Sequence, residues 1–125
     1  MVISALHPAT INSIKWFEER IISAATDNKI RIIDVKTKQI LKEYTLATKP
    51  ESIDYYEKGN ILYVGGENGK IYSANLKKDT EMHELMDVKN GKIVCLDVNR
   101  NGTLLVIGTN TGVCQVINFK NTKQV

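Results

Sequence analysis

A repeat constrains this chain more than any other feature. Asn28, Gly69 and Gly112 each close a tight turn between two apolar runs, and they stand 41 and 43 positions apart. Around each turn the same order recurs. The first unit has runs at 11–16, 21–25 and 30–35, with the turn at Asp27-Asn28. The second has runs at 52–55, 61–66 and 71–76, with the turn at Asn68-Gly69. The third has runs at 93–98, 104–108 and 113–119, with the turn at Thr111-Gly112. The runs are short and rich in Ile, Val, Tyr and Thr, residues that fit a pleated, half-buried surface. The turns carry residues that tolerate positive φ, and Asn68-Gly69 and Asn101-Gly102 are the strongest hairpin signals.

A period near 40 built from strands and tight turns predicts propeller blades of four strands each. The expected fold class is therefore all-β: about three four-stranded antiparallel blades in an incomplete ring. Residues 7–46, 49–88 and 91–119 form the blades, residues 2–6 an outer strand, and 1–125 one partial propeller. Segments 39–46 and 80–88 fall where the outermost strand belongs. Met82, Leu85 and Met86 stand near helical spacing, but the segment is short and the repeat favours a strand. A closed ring takes typically about 4–8 blades. Three blades leave two apolar flanks, larger than a monomer tolerates. The remaining blades are expected from the same protein, a second copy or another chain.

Trp16, Tyr55 and Val98 hold equivalent places and read as inter-blade core, with a ligand-stacking platform as the alternative for Trp16. Tyr44, Tyr56, Tyr63 and Tyr72 suit half-buried strand faces, with hydroxyls in water. Cys95 and Cys114 lie inside apolar stretches and read as reduced core residues. Neither belongs to a CxxC pair or has a histidine at zinc-site spacing, so no metal and no cofactor are expected.

These units resemble the WD-repeat (Trp-Asp repeat) family, over nearly the whole chain from His7 to Phe119. Leu6-His7 stands for the family's Gly-His, Ser23-Ala24 for its Ser-Gly, Asp27 for its turn Asp, and Ile33-Asp34 for its Trp-Asp. The resemblance implies a hydrogen-bonded chain that locks the first blade through His7, Ser23 and Asp27; Ile33 lacks the donor for the fourth link. Asn68 and Thr111 replace the turn Asp in the other repeats, and Ala74-Asn75 and Ile117-Asn118 replace the Trp-Asp. The resemblance also implies a top interaction face: Thr10, Asn12 and Thr26 in the first blade, Lys49, Glu51 and Glu67 in the second, Lys92, Val94 and Asn110 in the third. The set is mixed and polar, without the aromatic and arginine anchors of strong hot spots. Its charges suit a charged peptide or partner loop.

The net charge of +3 is spread along the chain. No concentrated basic stripe marks a nucleic-acid surface, and Lys77-Lys78, followed by Asp79, reads as a solvated turn. No apolar run approaches the roughly 18 residues of a membrane span, and residues 1–10 do not read as a secretion signal. An intracellular protein, cytoplasmic or nuclear, is expected. His7 and His83 fall in different structural roles, Glu18-Glu19 sits on a turn, and no nucleophile elbow is present. The expected function is thus a non-catalytic interaction scaffold or adaptor subunit of a larger complex. The alternatives are an RNA-contacting propeller of a ribonucleoprotein or translation-related complex, and a homo-oligomer of half-rings.

Overall fold

The computed structural model describes residues 2, 3 and 6–119. The first sheet holds β1 (Ile11–Phe17), β2 (Arg20–Ala25), β3 (Lys29–Asp34) and β4 (Ile40–Thr45). The second holds β5 (Pro50–Tyr56), β6 (Ile61–Gly66), β7 (Lys70–Asn75) and β8 (His83–Asp87). The third holds β9 (Ile93–Val98), β10 (Leu104–Thr109) and β11 (Cys114–Asn118). In every sheet the strands pair antiparallel in chain order. Val2, Ile3 and Leu6 lie outside any strand. Ser4 and Ala5 of the expected outer strand lie outside the described residues.

The turn chemistry is the same in each sheet. Asn28, Gly69 and Gly112 are left-handed, with φ of 66°, 82° and 89°. Only glycine and short polar residues reach that region cheaply, which is why the turn residues recur at the repeat period. Each inner strand also carries a bulge near its start. Pairing skips Asn12, Glu51 and Val94 in turn.

Strand alternation gives each sheet two flanks, and the sheets stack flank on flank. Phe17, Ile22, Ala24, Ile30, Ile32 and Tyr44 of the first sheet pack on Ile53, Leu62, Val64, Tyr72 and Ala74 of the second. Tyr63 and Ile71 of the second pack on Ile93, Leu105, Ile107 and Ile117 of the third. Each fully buried Ile or Leu contributes about 1.5–3 kcal/mol. Gly65 permits the second contact: a Cβ there would lie 2.5 Å from Ile93 Cγ2. Polar ties cross the first junction too. Asn12 Nδ2 donates to the Pro50 carbonyl at 3.1 Å, and the Tyr44 hydroxyl to that of Asp79 at 2.8 Å.

Two expectations fail in an instructive way. Cys95 and Cys114 are exposed rather than core residues. Both stand in register with Gly108, on the flank facing away from the second sheet, where nothing in the chain covers them. Trp16 is 67% exposed for the same reason on the opposite flank. Its equivalent Tyr55 packs on Phe17 with ring centroids 4.5 Å apart. The tyrosines differ as well. Tyr44, Tyr63 and Tyr72 are buried, and the Tyr44 and Tyr72 hydroxyls bond within the protein, Tyr72 by accepting from Asn68 Nδ2 at 2.9 Å.

Candidate interaction surface

The ends of the strands facing the β1–β5–β9 bulges gather three residues per sheet. Thr26 N–H donates to the Thr10 carbonyl at 2.9 Å, Glu67 N–H to that of Lys49 at 2.9 Å, and Asn110 N–H to that of Lys92 at 3.1 Å. The bulge residue of each inner strand, Asn12, Glu51 or Val94, stands one or two residues away along the chain. All nine residues expected on a top face therefore lie at one end of the three sheets, in three matching trios. Thr10, Asn12, Lys49, Glu67, Val94 and Asn110 are exposed; Thr26, Glu51 and Lys92 are half-buried. Asn110 Oδ1 accepts from Lys92 N–H at 3.0 Å, which holds the third trio. Among the described residues, Lys49, Glu51, Glu67 and Lys92 enter no ion pair. Their charges are available to something outside the chain.

Just below this end of the first sheet, His7, Ser23 and Asp27 meet. His7 Nε2 lies 2.7 Å from Ser23 Oγ, and Nδ1 lies 3.1 Å from Asp27 Oδ2. Arg31 joins them, a residue the sequence reading missed. Its Nη1 donates to Asp27 Oδ2 and to the Leu6 carbonyl, each at 3.1 Å, and lies 2.7 Å from His7 Nδ1. Its Nε donates to Glu43 Oε1 at 2.9 Å. With a proton on Nδ1, His7 donates to Asp27 and accepts from Ser23; the other tautomer accepts from Arg31 and donates to Ser23. Either way both ring nitrogens are partnered. Burial pushes the Asp27 carboxyl up, but His7, the Lys29 N–H and Arg31 outweigh it and hold it below the usual carboxylate range. Arg31 sits four residues beyond the turn residue. Tyr72 holds the same place in the second sheet, bonded to Asn68.

The opposite end of the sheets carries a cleft of about 1090 Å³. Its rim mixes Arg20, Lys58, Lys77 and Arg100 with Glu18 and Glu57. No single-sign field of the kind that binds phosphate forms there. His83 is exposed on β8, 3.7 Å from Asp79 and on a different sheet from His7.

Three stacked antiparallel sheets with matching turns, bulges and flanks are propeller blades: the chain has the WD-repeat β-propeller fold. Comparisons agree. The WD40 β-propeller domain of Doa1, in a crystal structure, superposes with a TM-score of 0.81 at 17% identity, over 91% of this chain and 38% of that one. The computationally designed Ika8 protein superposes with a TM-score of 0.74 at 16% identity, over 90% of this chain and 34% of that one. In sequence, the pre-rRNA-processing protein IPI3 of Scheffersomyces stipitis is 31% identical over 97 residues. That match covers 75% of this chain, which spans 17% of the length of that relative. No family model matches the sequence. Among the described residues, no helix is long and apolar enough to cross a membrane.

Proposed function

We propose that this chain contributes three blades to a larger propeller that acts as a non-catalytic protein-interaction scaffold in an RNA-processing assembly. The observation that carries this reading is the matching trio at one end of each sheet, with Lys49, Glu51, Glu67 and Lys92 exposed or half-buried and free of internal ion pairs. Alternating cations and anions suit a protein loop or peptide of mixed charge. They do not suit a nucleic-acid backbone, which asks for one sign. The reading of the assembly rests on the likeness to a pre-rRNA-processing protein. His7, Ser23 and Asp27, with Arg31, serve as the lock of the first blade and set the angle at which its trio is presented.

The test is co-sedimentation of the tagged full-length protein with pre-ribosomal particles, compared with a Lys49→Glu/Glu67→Lys variant. The expected result is particle association that the variant loses while its circular dichroism stays unchanged. Free sedimentation of the unmodified protein contradicts the assembly reading. Association that the variant keeps, and that falls steeply with salt, contradicts the protein-binding face and favours RNA contact.

A further inference from the structure

The three inner strands carry a second set of equivalent residues that the scaffold reading does not use. Lys15, Asp54 and Asp97 occupy the same place in β1, β5 and β9, in register opposite Ile22, Tyr63 and Val106. Asp54 is only 5% exposed, and it gathers all three sheets. Lys15 Nζ of the first sheet lies 3.1 Å from Oδ1. Tyr55 N–H of its own strand donates to Oδ1 at 2.9 Å. From the third sheet Val98 N–H donates to Oδ2 at 2.8 Å, and the Asp97 carboxyl makes a side-chain hydrogen bond with Asp54.

We propose that Asp54 and Asp97 hold one proton between them and form a pH-responsive joint between the second and third blades, with Lys15 of the first blade as its counter-charge. Two carboxylates in contact cannot both ionise without repulsion, so one keeps a proton. Asp54 keeps the charge because two backbone N–H groups and an ammonium face it. Asp97 is exposed and takes the proton, which it donates to Asp54. Burial pushes the Asp54 carboxyl up, but the Val98 N–H, Asp97, Lys15 and the Tyr55 N–H together hold it below the usual range. The hydrogen bond with Asp54 pushes the Asp97 carboxyl up, burial and the Asp54 charge add to that, and Lys15 opposes it. Among the neighbouring groups, β6 supplies Tyr63, whose phenol burial pushes further up and which stays neutral here. β5 itself adds Tyr55 and Tyr56, β2 presents the apolar Ile22, and Glu18, Arg20, Glu57, Lys58 and Arg100 stand around the cleft beyond.

The two carboxyls then push stability in opposite directions with pH. The lowered Asp54 contributes stability present above its unfolded value and lost as pH falls. The raised Asp97 contributes stability present while protonated and lost as pH rises through its folded value. At neutral pH Asp97 therefore strains the joint that Asp54 holds.

Thermal unfolding of the full chain and of Asp54→Asn and Asp97→Asn, from about pH 4 to about pH 8, tests this. Asp97→Asn is expected to raise the midpoint by about 3 °C near the upper limit, with the gain gone near the lower limit. Asp54→Asn is expected to lower it near the upper limit. A pH-independent effect of Asp97→Asn, or effects of one sign for both variants, overturns the proposal. Should Asp54→Asn fail to fold, carboxyl-carbon NMR of the unmodified chain decides. An Asp97 titration above the ordinary value of about 3.9 supports the joint, and one at or below it overturns it.

Discussion

Tyr55 and Trp16 hold the same place in successive blades and live in opposite surroundings. Tyr55 lies on Phe17 in the junction between the first two sheets, while Trp16 projects from the outer flank of the first. Beside Trp16, Ile14 is 58% exposed, and on the far side of the third blade Val116 is 61% exposed. The difference lies in what covers each flank, since both are written in the same apolar residues. A blade is a two-sided slab, and its residues are chosen for a neighbour. An apolar slab left bare exceeds what soluble surfaces carry. The outer flanks are thus complementary in kind to the junctions already formed.

Substitutions can break or sharpen this contrast. The largest effect is expected at Ile22, which is fully buried in the first junction. Ile22→Ala should cost about 2–5 kcal/mol in chemical denaturation. A loss below about 1 kcal/mol would mean the flanks do not stack as described. Next is the lock. His7→Ala leaves Ser23 without its imidazole partner and should cost about 1–3 kcal/mol, with faster amide exchange concentrated in β2 and β3. Uniform exchange over all three sheets would assign His7 no local role. A smaller effect is expected at Tyr44, whose hydroxyl ties the first blade to Asp79. Tyr44→Phe should cost about 0.5–1.5 kcal/mol. Burial pushes the Tyr44 phenol up to about 12, with Asp79 adding to it, so its ultraviolet titration should lag behind free tyrosine. The smallest effect belongs to Trp16. In this chain alone Trp16→Ser should change stability by less than about 0.5 kcal/mol. A cost comparable to that of Ile22→Ala would show a covered flank.

The strands, their turns and the four-strand order were legible because β-branched runs, positive-φ turn residues and the period near 40 all point the same way. Trp16, Cys95 and Cys114 were not, because a sequence shows that a face is apolar but not whether its cover is present. Arg31 was missed because a basic residue in a strand reads as solvent-facing. Its role depends on register, which places Glu43 opposite it. The Lys15, Asp54 and Asp97 set did leave a signal, one charged residue at the same repeat place in each unit. It carries meaning only once inner strands are known to adjoin. The top trios followed from the resemblance, yet what pairs their backbones is the bulge at each inner strand, and a bulge leaves no residue signature here.

Flank-on-flank stacking of the three sheets is tested most directly by aromatic nuclear Overhauser effects in the monomeric chain. Cross-peaks are expected between the rings of Phe17 and Tyr55, 4.5 Å apart, and of Tyr63 and Phe119, 5.3 Å apart, with none from Trp16 to the second sheet. A folded spectrum lacking the Phe17–Tyr55 peak, or joining Trp16 to Tyr55, would contradict the stacking.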